Sequence, residues 1–208
     1  MVAAWEWELA RHFLVVGNRA WTDGIRLDDL PGAGRCDALC RAVTSALWLS
    51  HGLRQDTRLH LLLLGPPCPP RLVSFHPGHV RRMNPDERNV GSHLRIVLSR
   101  AAGLRPGECV RGEPGISVRA VELAEILAAA SAVLPVWFLD RGGVPFQQRL
   151  VQPAGLYVLG DHQGLTEEQR GSVARYATGT LSISNLELLA SHAIVLVHGH
   201  LDTQFRDL

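Results

Sequence analysis

The chain has 208 residues, 46% hydrophobic and 20% charged, a balance that excludes a disordered tail and suits one domain with a buried core. Its formal net charge is only +1, yet all 21 of its cations are arginine, each a planar fork suited to phosphate. Trp5, Glu6, Trp7 and Glu8 interrupt the apolar run that a secretory signal requires, and the longest nearly apolar stretch, Ile126 to Leu139, is broken by Pro135 and too short to span a bilayer; a soluble, cytoplasmic protein is expected.

In chain order, His12 to Val16 reads as a first strand. Trp21 to Gly34 is a loop punctuated by Pro31, Gly32 and Gly34. A helix follows to about His51, with Leu39, Val43, Ala46 and Leu47 on one face. Cys36 and Cys40 lie one helical turn apart, but no second pair with zinc-finger spacing follows. With Cys68 and Cys109 they read as buried, reduced thiols, and no metal is expected. Arg58 to Leu64 is a buried strand stopped by Gly65, Pro66 and Pro67, and Leu72 to Phe75 is another.

Asn84 is placed to cap a helix that has Pro85 at its first position, Glu87 in a capping-box pattern, and an end near Ala101. Leu104 to Gly115 reads as a glycine- and proline-rich loop, Val118 to Val133 as a helix, and Pro135 to Leu139 as a strand. Gly155 to Leu159 is a strand ending at Gly160. Thr166, with Gln169 three residues on, caps a helix to about Tyr176. Leu181 to Ile183 is a short strand, and Asn185 caps a last apolar helix to about Val197. Strands and helices alternate, so the predicted fold class is α/β with a largely parallel sheet.

Ligands in open α/β sheets bind beyond the carboxyl ends of the strands. Three loops occupy such ends: Asp140 to Gly143, Gly160 to Gly164, and Ser182 to Asn185. In Gly160-Asp161-His162-Gln163-Gly164, two glycines flank a polar centre. Such glycines serve a close approach to a ligand and an ordinary strand-to-helix turn equally well.

The ordered segments are more specific. They are Leu30-Pro31-Gly32, Gly34-Arg35-Cys36-Asp37-Ala38-Leu39-Cys40-Arg41, Leu49-Ser50-His51, Gly65-Pro66-Pro67-Cys68-Pro69-Pro70, Pro85-Asp86-Glu87-Arg88-Asn89 and Pro114-Gly115-Ile116, then Gly160 to Gly164 and Leu181-Ser182-Ile183-Ser184-Asn185-Leu186-Glu187-Leu188. In these segments the chain resembles the archaeal-type tRNA (pseudouridine-54-N1)-methyltransferases of the SPOUT superfamily. Two positions depart from that pattern: Ala193 stands where the family usually has cysteine, and Leu189 where it often has histidine.

The resemblance implies one SPOUT domain over residues 1–208, a C-terminal trefoil knot from about Pro135 onward, and a homodimer packed through the knot helices. It implies S-adenosylmethionine as cofactor, bent within the knot. Leu139, Gly160, His162 and Gly164, the loop Leu181, Ser182, Ile183, Ser184, Asn185 and Leu186, and Ala193 would hold it. The implied reaction is methylation of N1 of a pseudouridine in RNA, with position 54 of the tRNA T loop foremost. The alternatives are a non-catalytic RNA- or cofactor-binding dimer and a methyltransferase of another RNA site, such as rRNA or a ribose hydroxyl.

Pseudouridine has a free N1–H, so the reaction needs a slot for the base, a group that takes the proton or steadies the anion, and a line from N1 to the methyl. The resemblance points to Asp37 for the base or its proton, and to Arg35 for holding the base or a phosphate. Read without it, Asp37 with Arg41 is an ordinary i,i+4 pair. Arg54, Arg81, Arg82 and Arg88 are the candidates for a phosphate-binding rim. His162 reads as a proton carrier or a loop support, His192 as a support, and His198 and His200 as solvated.

Overall fold

A computed structural model describes residues 7–204; Trp5 and Glu6 lie outside them. The chain runs through β1 (Arg11–Gly17), α1 (Cys36–Leu47), β2 (Trp48–Leu49), β3 (Gly52–Leu53), β4 (Thr57–Leu63), β5 (Arg71–Phe75), α2 (Glu87–Arg100), β6 (Cys109–Glu113) and β7 (Ile116–Arg119). It continues through α3 (Leu123–Ser131), β8 (Val136–Pro145), β9 (Gly155–Gly160), α4 (Glu167–Tyr176), β10 (Gly179–Ser182) and α5 (Ala190–Gln204). Eight strands form one sheet in the order β10-β8-β9-β1-β4-β5-β7-β6. The run from β10 to β4 is parallel, while β5, β7 and β6 extend it antiparallel. The sheet is therefore mostly parallel, as expected.

Strands buried on both faces read as continuous apolar runs, and β1 and β4 are of that kind. Phe13, Val15, Leu59 and Leu61 face one side, toward residues of α1, α2 and α5. Leu14, Val16 and Leu62 face the other, toward α3 and α4. Alternate side chains of a strand point to opposite faces, so two cores form, one on each side of the sheet. None of the helices of the described residues is long and apolar enough to cross a membrane.

Several boundaries differ from the sequence reading. α1 ends at Leu47 rather than His51, because the chain turns extended at Trp48 and pairs with Leu53 in a small hairpin. α2 is capped by Asp86, whose carboxylate accepts from the Asn89 backbone N–H at 2.8 Å. The Asn84 backbone N–H instead donates to Asn89 Oδ1 at 2.7 Å, so the residue expected as the cap lies ahead of the helix. The expected loop from Leu104 contains β6, and the start of the expected helix at Val118 is β7. Gly112 obscures β6: a Cβ there would lie 2.7 Å from Val97, so the glycine lets α2 pack against the strand. Thr166 and Gln169 do form a capping box. α5 begins at Ala190, not after Asn185, so Ile183 to Leu189 stays open as a loop.

The thiols divide. Cys36 and Cys40 are buried, whereas Cys68 is partly exposed and Cys109, on an edge strand, is exposed. Burial pushes the Cys36 thiol up to about 12 and the Cys40 thiol upward as well, so both stay protonated. His198 is buried rather than solvated: it lies 2.6 Å from an Arg11 guanidinium nitrogen and 3.1 Å from the Ala46 carbonyl. His200 packs edge-on against Phe146.

Candidate active site

The middle of β8, the carboxyl end of β9, the loop after β10 and the start of α5 enclose a cleft of about 680 Å³. Leu139, Gly160, His162, Gly164, Ile183, Ser184, Leu186 and Ala193 all line it. Leu181 and Ser182 are buried in β10 behind that wall, and Asn185 is exposed outside it. The loop is held locally: the Ser182 hydroxyl donates to the Ser184 carbonyl at 3.2 Å, and Leu186 N donates to Ser184 Oγ at 3.0 Å.

Gly160 and Gly164 share one turn. A Cβ on Gly160 would lie 2.5 Å from the Gly164 carbonyl carbon, and Gly164 itself has φ +72°. The pair therefore makes the tight turn, and the missing side chains also leave the backbone open to a ligand. Apolar residues Leu139, Leu159, Ile183, Leu188 and Ala193, with polar residues such as Asp140, Asp161 and Gln163 among them, fit an adenosyl group, which joins a flat adenine to a hydroxyl-bearing ribose.

Sequence reading passed over Asn18 and Arg170 and named Asp161 only as part of the glycine turn. Asn18, just beyond β1, donates from its backbone N to Asp161 Oδ2 and from its side chain to the Gly164 carbonyl, both at 2.9 Å. Gln169 of the capping box donates to Asn18 Oδ1 at 2.7 Å. Asn18 therefore ties the end of β1 to the glycine turn and to α4. Arg170 donates to Asp140 at 2.6 Å and lies over the Phe138 ring. Burial raises the Asp140 pKa, but the Gly142 N–H and Arg170 outweigh it and hold the carboxyl below its usual value. Asp140 lies within β8, where the sequence reading expected a loop from Asp140 to Gly143, because the strand continues to Pro145; Arg170 is one charge among several on an exposed helix and carried no signal.

A second cleft, of about 640 Å³, opens over the ends of β1 and β4. Asn18, Trp21, Gly34, Arg35, Gly65 and His162 are among its lining residues. His162 lines both clefts, so they adjoin. Gly34 is obligatory: its φ is +70°, and a Cβ would lie 1.7 Å from the Arg19 carbonyl oxygen. Arg35 follows with φ 65°, a left-handed backbone that costs a non-glycine residue about 1 kcal/mol or more.

Arg35 grips Asp37 with two parallel bonds, Nε to Oδ1 at 2.9 Å and Nη2 to Oδ2 at 3.0 Å. Arg41 adds a third at 2.8 Å and bonds Glu87 through its other nitrogen, also at 2.8 Å. The i,i+4 pair with Arg41 and the Arg35–Asp37 pair thus coexist. Asp37 is 6% exposed, whereas the Arg35 side chain is 40% exposed. Burial pushes the Asp37 carboxyl up, but the two guanidiniums more than reverse this and hold it at about 2. Asp37 is therefore an anion at any working pH and a weak proton acceptor.

The rim arginines do not form one group. Arg54 is bonded to Asp202 through both terminal nitrogens, beside α5. Arg81 and Arg82 lie on the loop between β5 and α2, and Arg88 is exposed on the first turn of α2. His192 is exposed on α5 and does not line the cleft.

Known proteins agree with this architecture. A family model described as "Putative SAM-dependent RNA methyltransferase" matches residues 10–205. A tRNA (pseudouridine(54)-N(1))-methyltransferase of Methanopyrus kandleri is 39% identical over 196 residues, 93% of each chain. Its namesake from Methanosarcina mazei is 38% identical over 92% of this chain and 90% of its own. Among solved structures, Archaeoglobus fulgidus Nep1 bound to S-adenosylhomocysteine superposes with a TM-score of 0.65 at 10% identity, covering 94% of this chain and 98% of that one. The SpoU methyltransferase AviRb from Streptomyces viridochromogenes reaches 0.50 at 14% identity, over 96% of this chain and 59% of its own. These two show the shared fold. With identity of this order running almost from end to end, the chain belongs to the tRNA (pseudouridine(54)-N(1))-methyltransferase family.

Proposed function

We propose that the chain transfers a methyl group from S-adenosylmethionine to N1 of pseudouridine 54 in tRNA. The observation that carries the reading is the junction of the two clefts at His162, which sets an adenosyl-shaped slot beside an arginine–aspartate pair. S-adenosylmethionine supplies an electrophilic methyl on its sulfonium. Leu139, Gly160, Gly164, Ile183, Ser184, Leu186 and Ala193 hold it, and Leu181, Ser182 and Asn185 support the loop from behind.

The base enters the second cleft against Arg35. Loss of the N1 proton leaves negative charge on the ring, and the Arg35 guanidinium stabilises it. Asp37, ionised and held by two arginines, fixes the position of Arg35 and accepts a hydrogen bond from the base. With its carboxyl at about 2, it does not keep the proton, which passes to water through the open cleft. His162 stands between base and cofactor and supports the turn.

Arg81, Arg82 and Arg88 contact RNA phosphates, while Arg54, held by Asp202, serves the fold. The enzyme works in the cytoplasm as a single-domain homodimer, with the chain from about Pro135 knotted. Exposed Leu189, Val195 and Leu196 on and beside α5 support the dimer, because large apolar side chains left in water are costly. The test is methyl transfer from labelled S-adenosylmethionine to two tRNA transcripts that differ only in pseudouridine or uridine at position 54. Incorporation confined to the pseudouridine transcript and mapped to N1 is expected. Equal labelling of both transcripts would reject the reaction.

A further inference from the structure

His162 aside, the charged side chains on the cofactor cleft are Asp140, Arg141, Asp161, Arg170 and Glu187. Asp161 is turned to the backbone, where it accepts from Asn18 N at 2.9 Å and Gln163 N at 2.8 Å. Arg141 and Glu187 face each other at 3.5 Å, both exposed, and water screens such a pair almost completely. Arg170 and Asp140 remain, and neither the glycine turn nor the slot for the base uses them.

The pair is a fixed unit. Arg170 Nη1 donates to Asp140 Oδ2 at 2.6 Å, and the guanidinium carbon lies 5.4 Å from the centre of the Phe138 ring. Asp140 Oδ1 accepts from Gly142 N at 2.9 Å. Burial opposes the charge on Asp140, but the Gly142 N–H and Arg170 keep the carboxyl ionised. A guanidinium has five N–H donors and a carboxylate about four acceptor sites, so each partner keeps places for a ligand.

A cation and an anion fixed side by side are the complement of a zwitterion. S-adenosylmethionine ends in one: its ammonium and its carboxylate share a single carbon. The apolar residues of the cleft suit the adenosyl part, and the two charges of the tail would be costly to leave unpaired against them. A guanidinium fork matches a carboxylate with parallel bonds, and an ionised carboxylate matches an ammonium.

We propose that Arg170 and Asp140 form the subsite for the amino-acid end of the cofactor, Arg170 taking its carboxylate and Asp140 its ammonium. The cleft thereby selects adenosyl compounds that carry an α-amino acid over those that lack one. The proposal rests on the reading of this cleft as the slot for S-adenosylmethionine, and not on the identity of the methylated base.

The test is calorimetric titration of the full chain with S-adenosylhomocysteine, which keeps the amino-acid end, and with methylthioadenosine, which lacks it. Both are thioethers, so the sulfonium charge plays no part. Arg170→Gln is expected to weaken S-adenosylhomocysteine about tenfold and to leave methylthioadenosine within about twofold. Asp140→Asn should show the same selectivity. Decarboxylated S-adenosylmethionine should lose no affinity from Arg170→Gln, and Arg170→Lys, which keeps the charge without the fork, should recover part of the loss. An equal loss for S-adenosylhomocysteine and methylthioadenosine would overturn the proposal, because the pair would then only tie α4 to β8. So would an unchanged affinity for S-adenosylhomocysteine. A wild type that binds neither compound would overturn the slot and this subsite with it. A selective loss in a chain that methylates no pseudouridine would uphold the subsite and reject the reaction.

Discussion

Replacing Asp37 by asparagine tests the chemistry and the electrostatics together. The carboxylate accepts three N–H bonds, two from Arg35 and one from Arg41. An asparagine offers one acceptor oxygen and turns an NH₂ group toward guanidinium donors. The fall of the Asp37 carboxyl from 3.8 to about 2 corresponds to about 2 kcal/mol of stability. Arg35 and Arg41 are 40% and 34% exposed, and solvent screening brings the expected loss to about 1 kcal/mol. The folded pKa is depressed, so this stability is complete above about pH 4 and is lost as pH falls toward 2. Urea unfolding should show the same deficit for Asp37→Asn at pH 7 and pH 5.5. The rate should fall much further, by about a hundredfold in kcat, with S-adenosylmethionine affinity unchanged by calorimetry. A rate within twofold of the wild type would remove Asp37 from the mechanism. An acidic limb near pH 6 in the wild-type rate, absent in the variant, would also refute the argument, because a carboxyl held at about 2 cannot titrate there.

Gly160→Val should weaken S-adenosylmethionine binding at least about tenfold, since its side chain would be driven into the Gly164 backbone; calorimetry showing unchanged affinity would put the cofactor elsewhere. Burial, aided by nearby arginines, lowers His12 to about 4 and His76 and His198 to about 3. They stay neutral in the fold and take protons when it unfolds below about pH 6.5, so each removes up to about 1.4 kcal/mol per pH unit as pH falls from 6.5 toward 4. Urea midpoints that stay flat over that window would contradict the assignment. Leu196→Glu places a charge on the exposed apolar face of α5 and should convert a dimer to monomer in light scattering; an unaltered mass would move the interface off this helix.

The elements that could be read early are those whose signal is local. The capping box at Thr166 and Gln169, the apolar runs of β1 and β4 and the glycine turn after β9 each depend on neighbours within a few residues. β6 and β7 were missed for the opposite reason. Their pairing is set by long-range register, and Gly112 looks like a loop residue until α2 is packed on it. The late start of α5 is also tertiary: Ile183, Ser184 and Leu186 to Leu189 line a cleft whose other walls come from β8 and β9.

The candidate site divides along the same line. Family likeness marked Arg35 and Asp37 in the sequence, and Gly160 and Gly164 were marked by their spacing after a strand as well. Asn18 and Arg170 could not be marked, since each draws its meaning from partners more than twenty residues away: Asn18 from Asp161 and Gly164, Arg170 from Asp140. The sequence by itself determined the α/β class and the family, carried by short-range pattern, and the family likeness in turn pointed to Arg35 and Asp37. Only the tertiary structure decided that two clefts meet at His162, that Arg35 and Arg41 together hold the Asp37 carboxylate, and that four arginines scattered from position 58 to 111 line one cleft. Those facts depend on distances between segments that the order of residues along the chain does not contain.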